Sequence, residues 1–194
     1  MNKKDSSRRK IIIKAAAELF GRYGFSKTTV EEIARSSRMG KASIYYYFKN
    51  KEEIYREVLE NESRLLQKNI VDAIEKKNSA PEKIKEYAKA RSKSLLSLPN
   101  IAAALKDELI HHLDSIQKFR KKFLRLEVEI IKKLLKEGKD KKIFNIKYIE
   151  QTAFVILTSL KGLESLILEK PDWIEWERHL NKLLEILFLG LQKR

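Results

Sequence analysis

The chain of 194 residues contains no cysteine, only six glycines and only three prolines. The absence of cysteine excludes disulfides, thiolate nucleophiles and zinc sites built on cysteine. Because glycine and proline are the residues of tight turns, their scarcity argues against a fold with many turns. Strict alternation of apolar and polar residues, the pattern of a half-buried strand, is almost missing as well. Apolar residues spaced three or four apart recur along nearly the whole chain, which predicts an all-α protein.

Long apolar runs are also missing. The run Ala153–Leu157 is as long as any in the chain, whereas a membrane-spanning helix needs about 20 apolar residues. The basic and then apolar N-terminus has the outline of a signal peptide, but Lys14 and Glu18 interrupt it and its period is helical. These features predict a cytoplasmic protein without a membrane span.

Positive charge dominates the composition, with a formal net charge of +15. A strongly basic protein is a natural partner for a polyanion such as nucleic acid. The excess is nevertheless spread out, because residues 1–60 carry a net charge of +6 and the remaining residues +9. Net charge therefore does not locate a binding segment by itself. The sequence has no nucleophile elbow, phosphate loop or H-E-x-x-H motif, so we expect no enzymatic activity, cofactor or metal.

The apolar spacing predicts nine helices. The first ends near Gly24, two short helices follow, and Asn50 is a good N-cap for a long fourth helix. The seventh helix is apolar on two sides, which predicts burial on two sides, and Gly138 is expected to end it. The last two helices are predicted from about Asn145 to Glu169 and from Asp172 to Gln192.

The segment Thr28–Glu53 contains two short helices separated by a tight break. Either of two threonines can cap the first helix, and a helix N-terminus also attracts phosphate. In the second helix Ile44 and Phe48 are four apart and are predicted to face inward. Its lysine, serine and tyrosine side chains then face outward, where they can contact bases and phosphates. The pattern predicts a helix-turn-helix whose second helix enters the DNA major groove.

The residues predicted to contact DNA come from both short helices, the break between them and the start of the next helix. They are Lys27, Thr28, Thr29, Arg38, Lys41, Ala42, Ser43, Tyr45, Tyr46, Tyr47, Lys49 and Lys51. Any single tyrosine of this set could instead be an aromatic residue packed between helices, and Tyr47 is the first candidate for that alternative.

Residues 8–60 closely resemble the N-terminal domain of the TetR family of bacterial transcriptional regulators. The matching positions are Phe20, Gly24, Phe25, Thr28, Thr29, Ile33, Ala34, Lys41, Ser43, Ile44, Tyr45, Tyr47, Phe48 and Lys49 to Glu53. The resemblance implies a nine-helix homodimer with a DNA-binding domain in residues 1–50. It also implies a helical effector-binding and dimerisation domain in residues 51–194, in which the last two helices form the dimer interface.

The break between the two short helices departs from the family pattern. Relatives commonly have A-G-V-S, where this chain has Ser37-Arg38-Met39-Gly40. Arg38 replaces a glycine that favours a left-handed turn, and Gly40 replaces the usual capping residue. Because glycine can also cap a helix, we expect the fold to survive with a slightly altered turn. Arg38 is expected to add a phosphate contact.

Wide apolar faces on the last two helices suit a helical hairpin that pairs with its copy. The alternative is that these faces cover only the protein's own core. The predicted interface residues are Ile156, Leu160, Leu163, Ile167, Leu180, Leu184, Leu187 and Leu191.

The family resemblance further implies a small-molecule pocket among helices four to eight. Aromatic residues at helical spacing are also the ordinary contents of a helical bundle, so the candidates are chosen by character alone. They are Tyr87, His111, His112, Phe119, Phe123 and Phe154.

These observations predict a homodimeric repressor that a small-molecule effector releases from a palindromic double-stranded DNA operator. A TetR-like activator, or a regulator without a ligand, is an alternative of the same class. An alternative of another class is a basic helical interaction or membrane-surface protein. The salt and sequence dependence of DNA binding distinguishes the two classes.

Overall fold

The computed structural model describes residues 3–106, 113–169 and 172–191. Within these residues the chain folds into nine α-helices, as the apolar spacing predicts. They are α1 (Lys3–Tyr23), α2 (Val30–Ser36), α3 (Lys41–Tyr47), α4 (Lys51–Ile74), α5 (Ala80–Ser97), α6 (Pro99–Lys106), α7 (Asp114–Asp140), α8 (Ile149–Glu169) and α9 (Trp173–Leu191).

Polar side chains determine where several of these helices begin. Thr29 accepts a hydrogen bond from the backbone N–H of Glu32, whose carboxylate accepts one from the N–H of Thr29. Ser79 and Glu82 form the same reciprocal pair before α5. Asn50 accepts from the N–H three residues ahead at the start of α4. Each pair satisfies N–H groups that have no partner inside the helix.

The end of α7 differs from the sequence prediction. Gly138 does not end the helix, which continues to Asp140. The glycine is buried, and a Cβ at this position would overlap the ring of Phe144 and lie 3.0 Å from the Cβ of Ala80. The residue is therefore small because other side chains approach its backbone, and the chain turns only at Lys142, which has a φ of 57°.

The chain divides into two compact units, residues 1–65 with 98–121 and residues 66–97 with 122–194. In the first unit the rings of Phe20 and Phe25 both lie 5.0 Å from that of Tyr55, so α1 and the first half of α4 share one core. The predicted boundary between the DNA-binding domain, residues 1–50, and the effector-binding domain, residues 51–194, thus falls inside the first compact unit. It stays a prediction about which residues bind DNA.

The first unit also contains α6, whose first turn is held by buried polar groups. Asn100 donates to the backbone carbonyl of Ala17 over 3.0 Å and to Glu62 over 2.6 Å. Glu62 accepts a second bond, from the N–H of Ile101. Burial raises the pKa of Glu62 although these bonds oppose the shift. The carboxylate thus satisfies the free N–H groups at the start of α6.

One described helix, α8, has the length and composition of a membrane span. Its stretch Ile149–Leu168 has a mean hydropathy of 1.2, and 35% of that stretch is buried. The sequence analysis considered only unbroken apolar runs, and these are short in α8 because single polar residues interrupt the helix. The mean hydropathy of the whole helix is nevertheless high. Core helices of helical bundles meet the same criterion. What distinguishes α8 is the exposed apolar surface described below.

Candidate nucleic-acid interface

A compact turn joins α2 to α3. The N–H of Arg38 donates to the carbonyl of Arg35 over 3.1 Å, and the N–H of Met39 donates to that of Ala34 over 2.9 Å. These two bonds form a Schellman motif, which ends a helix with one residue in the left-handed conformation. Arg38 is that residue, with a φ of 55°. The turn therefore has the left-handed geometry that favours glycine, although an arginine occupies the position.

A left-handed conformation is costly for a residue with a Cβ. The cost is about 1–2 kcal/mol for most L-residues. We therefore expect Arg38→Gly to raise the free energy of unfolding by about 1 kcal/mol, measured by urea denaturation. Arg35→Gly, an exposed position in the preceding helix, is the matched control and should instead lower it by about 1 kcal/mol. An Arg38→Gly protein that is less stable than the wild type would contradict this account of the turn.

The α3 helix presents two different faces, as predicted. Ile44 and Phe48 are buried, whereas the other side chains from Lys41 to Tyr46 are exposed. Tyr46 is 76% exposed, the largest value for any aromatic residue in this part of the chain. Lys27, Thr29, Arg38 and Lys49 are exposed as well. The predicted DNA-contacting residues thus form an outward surface, with the three exceptions that follow.

Thr28, Tyr47 and Lys51 do not fit the predicted role. Thr28 is only 1% exposed, and its hydroxyl donates to the carbonyl of Gly24 over 2.8 Å. The ammonium of Lys51 donates to the carbonyls of Phe25 and Thr28 over 2.8 and 2.9 Å, and burial lowers its pKa. The half-buried Tyr47 donates its hydroxyl to Asp5. These side chains hold the α1–α2 loop and the end of α3 in place.

Arg9 is a positioning residue that the sequence analysis missed. Its guanidinium donates to the carbonyl of Tyr47 over 3.0 Å and to Glu57 over 2.6 Å, and it lies 4.4 Å from the centroid of the Phe48 ring. One side chain from α1 therefore contacts both the end of α3 and the first half of α4. The only signal in the sequence is an arginine one turn before the apolar stripe of α1, and that pattern is common.

An acidic side chain lies within the outward surface. Glu31 on α2 forms a salt bridge with Lys41, the first residue of α3. Both side chains are half exposed. The hydrogen bond between them lowers the pKa of Glu31 and raises that of Lys41. Both groups are thus charged at neutral pH. The Lys41 ammonium must separate from the Glu31 carboxylate before it can bind another group in the same way.

The predicted dimer-interface residues mostly face the interior of their own chain. The apolar faces of α8 and α9 cover the core of the second unit, because these helices pack on each other and on α5. Leu163, Leu187 and Leu191 are half-buried. The other members of the set are buried within the protomer, so their side chains are not exposed to a partner there, and their role in an interface stays a prediction. They are Ile156, Leu160, Ile167, Leu180 and Leu184.

A second apolar surface on α8 and α9 is exposed. Val155 and Leu166 lie on one face of α8 with the exposed Gly162 between them, at spacings that match three helical turns. Ile186 and Leu189, on the last turns of α9, are 59% and 64% exposed. We call these five residues the outer α8–α9 face. Exposed apolar surface of this kind commonly marks an interaction site.

The candidate ligand residues lie in different surroundings. Tyr87, Phe119 and Phe123 are buried, and His111 and His112 lie outside the described residues. Phe154 is half exposed and lines an open groove of about 590 Å³ between α7 and α8, together with Leu124 and Val128. Arg125 and Glu129 also line this groove. A common pocket for the candidates stays a prediction.

Tyr87 belongs to a buried ionic cluster that the sequence analysis did not identify. Arg91 on α5 pairs with Glu127 on α7 and with Glu164 on α8, and all three are buried. Tyr87 donates to Glu127 over 3.2 Å, and Lys161 lies 3.5 Å from the same carboxylate. Burial raises the pKa of Tyr87 well above its ordinary value. Burial also opposes ionisation of Arg91, but the carboxylate of Glu127 raises its pKa.

Comparisons with known proteins agree with this geometry. Residues 12–58 match the model of the family described as "Bacterial regulatory proteins, tetR family". The chain is similar to the biofilm operon icaADBC HTH-type negative transcriptional regulator IcaR of Staphylococcus epidermidis, with 48% identity over 50 residues. That match covers 26% of this chain and 27% of the relative. The chain thus spans about a quarter of the length of the first curated relatives that it matches.

Solved structures match over nearly the whole chain. A TetR-family transcriptional regulator from Cytophaga hutchinsonii superposes with a TM-score of 0.85 at 18% identity, covering 100% of this chain and 99% of that one. The transcriptional regulator FadR from Bacillus subtilis, in complex with stearoyl-CoA, gives a TM-score of 0.75 at 22% identity. The coverage is 93% of this chain and 98% of FadR. At these identities the likeness establishes the fold.

Proposed function

Because the chain belongs to the TetR family of bacterial regulatory proteins, we propose that it is a homodimeric repressor of transcription. It binds an inverted-repeat DNA operator and leaves it when a small-molecule effector binds. The observation that carries this proposal is the outward surface of α3. Lys41, Ser43 and Tyr46 project from a short helix that is fixed from behind by Ile44, Phe48 and the Arg9 contacts. Such a helix fits the major groove, where these side chains can contact base edges and phosphates.

The experiment for DNA binding is selection from a random-sequence duplex pool with the purified full-length protein. The enriched sequences are expected to contain an inverted repeat whose half-sites are separated by about one helical turn, or a multiple of it, since a two-fold dimer places its two α3 helices at that spacing. Enrichment of unrelated sequences with no common motif would contradict the proposal.

We propose that the dimer forms through the outer α8–α9 face, in place of the interface predicted from the sequence. A two-fold dimer needs one self-complementary apolar patch that the protomer itself does not cover. Val155 and Leu166 on α8 and Ile186 and Leu189 on α9 are exposed apolar side chains in the protomer, and we infer that they form this patch. Gly162 between them allows the backbones of two helices to approach closely, in the way that small residues do in helix pairs.

The dimer proposal predicts the effect of a charge on this face. Val155→Glu should convert the protein to monomers in sedimentation or light scattering, because a buried carboxylate without a partner costs several kcal/mol. The helical content should be unchanged, since Val155 is 54% exposed in the protomer. Val71→Glu places the same charge at an exposed position of α4 and is the matched control, which should stay dimeric. If Val155→Glu and Leu189→Glu both remain dimeric, the interface lies elsewhere.

For the effector, we propose an amphipathic acyl compound, and long-chain acyl-CoA is the first to test. The support is the fold shared with FadR of Bacillus subtilis, whose structure contains stearoyl-CoA. An effector can shift the DNA-binding equilibrium only if it binds the two states with different affinity. Stearoyl-CoA should therefore release the selected operator at concentrations where free CoA does not. Equal effects of the two compounds would exclude this class.

A further inference from the structure

The acidic residue on the DNA-facing surface requires an explanation. Phosphate repels carboxylates, so an acidic side chain beside a DNA-contacting lysine lowers the affinity for DNA. The exception is a sequence in which the carboxylate accepts a compensating hydrogen bond from a base edge. Glu31 contacts Lys41 directly, and Lys41 is the first residue of the helix proposed to enter the groove. Any DNA that Lys41 contacts therefore passes within reach of the Glu31 carboxylate.

The pair has an energetic consequence for binding. Before Lys41 can bind a phosphate, its ammonium must leave Glu31, and the carboxylate is then left without its cation near a polyanion. On DNA of arbitrary sequence nothing compensates for this loss. On a suitable G·C pair or step, lysine donates to guanine O6 or N7 while a carboxylate accepts from the N4 amino group of cytosine. Both halves of the salt bridge then regain a partner.

The geometry points to Glu31 as a specificity-determining residue that, together with Lys41, reads a G·C-containing part of the operator and weakens binding to all other DNA. This inference rests on the proposed DNA-binding function and adds to it a role for an acidic residue on α2. Glu31 is a direct reader in this proposal, while the adjacent Glu32 is a capping residue whose carboxylate is bonded to Thr29.

Glu31→Gln and Glu32→Gln form a matched pair for the test. Each removes one negative charge from the first turn of α2, and the two positions are adjacent and exposed. Glutamine at position 32 can still complete the capping box, so both variants should fold. The difference in DNA affinity between the two variants therefore reports the loss of the Glu31–Lys41 salt bridge, separately from the general effect of removing one negative charge.

The measurement is the affinity of the full-length dimer for two DNA probes, a duplex selected by the wild-type protein and a random-sequence duplex of the same length, over a range of salt concentrations. Glu31→Gln should tighten binding to random DNA by about fivefold or more at 100 mM salt, because Lys41 becomes available to a phosphate. The slope of log K against log salt should become more negative by about 0.9 per subunit. Affinity for the selected duplex should not rise, so the ratio between the probes falls.

Two further results check the pairing itself. In a Lys41→Gln background Glu31→Gln should tighten binding to random DNA no more than Glu32→Gln does, since no ammonium remains to be released and each variant then only removes one negative charge. Repeating the selection with Glu31→Gln should relax the preference for at least one G·C pair in each half-site. Glu32→Gln should alter neither the ratio nor the preference.

The outcomes separate this inference from the function on which it rests. If the wild-type protein does not distinguish the two probes, the proposed operator binding is wrong. If the wild-type protein distinguishes them but Glu31→Gln and Glu32→Gln behave alike, the proposed function stands and the role of Glu31 is overturned. A larger gain in affinity for random DNA from Glu31→Gln than from Glu32→Gln in the Lys41→Gln background also overturns it.

Discussion

Replacing Arg91 with methionine is expected to lower the free energy of unfolding by about 3–5 kcal/mol. The guanidinium is the central cation of the buried cluster, where it contacts both Glu127 and Glu164. Methionine fills much of the same volume but leaves two buried carboxylates. The hydroxyls of Tyr87 and Ser92 still donate to them, but the one cation left near either carboxylate among the described residues is the partly exposed Lys161. An uncompensated buried charge is among the most costly single changes in a protein. Chemical denaturation at fixed protein concentration measures the loss.

Two variants show whether the loss comes from the unpaired carboxylates. Lys89→Met on the same helix breaks the ion pair with Glu177, which is closer to solvent, and should cost about 1 kcal/mol or less. Adding Glu127→Gln and Glu164→Gln to Arg91→Met should recover part of the stability, because no buried charge then lacks a partner. If Arg91→Met is no worse than Lys89→Met, the cluster does not hold α5, α7 and α8 together as the contacts indicate.

The double variant Lys41→Ala with Tyr46→Ala should lose at least about 30-fold in affinity for the selected operator. A well-placed base contact contributes about 1–3 kcal/mol, and 1.4 kcal/mol corresponds to a factor of ten. Both side chains are exposed, Tyr46 more than any other aromatic residue described in α1–α4. The thermal stability should therefore change little. Fluorescence anisotropy with a labelled duplex gives the affinity, and circular dichroism reports the folded state.

A control for this variant removes the same two residue types far along the chain from α3. Lys76→Ala with Tyr148→Ala deletes one positive charge and one exposed tyrosine from the second unit. Its operator affinity should stay within about threefold of the wild type, since only long-range electrostatics are altered. Equal losses for the two double variants would mean that α3 is not the DNA-reading helix.

The helices and their order could be predicted from the sequence because local rules determine them. Apolar spacing of three and four marks each helix, and the capping residues Thr29, Asn50 and Ser79 mark where helices begin. The inward position of Ile44 and Phe48 follows from the same spacing. Gly138 was misinterpreted because a glycine that ends a helix and a glycine that admits a neighbouring ring look alike in one sequence.

The faces of α8 and α9 could not be assigned from the sequence. Both helices are apolar on more than one side, so the pattern does not tell which side covers the protomer's own core. The structure places Leu160 and Leu184 inside and Val155 and Leu189 outside. Burial against α5 decides this, and burial depends on residues far away in the chain.

The Arg91 cluster and the Arg9 contacts were missed for a related reason. Each set of contacts joins residues from three helices, and such contacts cannot be predicted from the pattern of any one helix. A weak signal existed for the cluster, because Glu127 and Glu164 occupy positions in apolar stripes, each four residues after a buried apolar residue. A charged residue at a core position implies a buried partner. The sequence does not identify that partner.

The proposed function requires the outward surface of α3 to recognise a specific DNA sequence. The most direct test compares the affinity of the wild-type dimer for its selected duplex with that for a shuffled duplex of the same composition, at about 150 mM salt. Specific regulators exceed their own non-specific binding by about 10³-fold or more, and we predict a ratio of at least that size. Equal affinity for the two duplexes, with the same salt dependence, would show a basic surface that binds polyanions without reading sequence and would contradict the account.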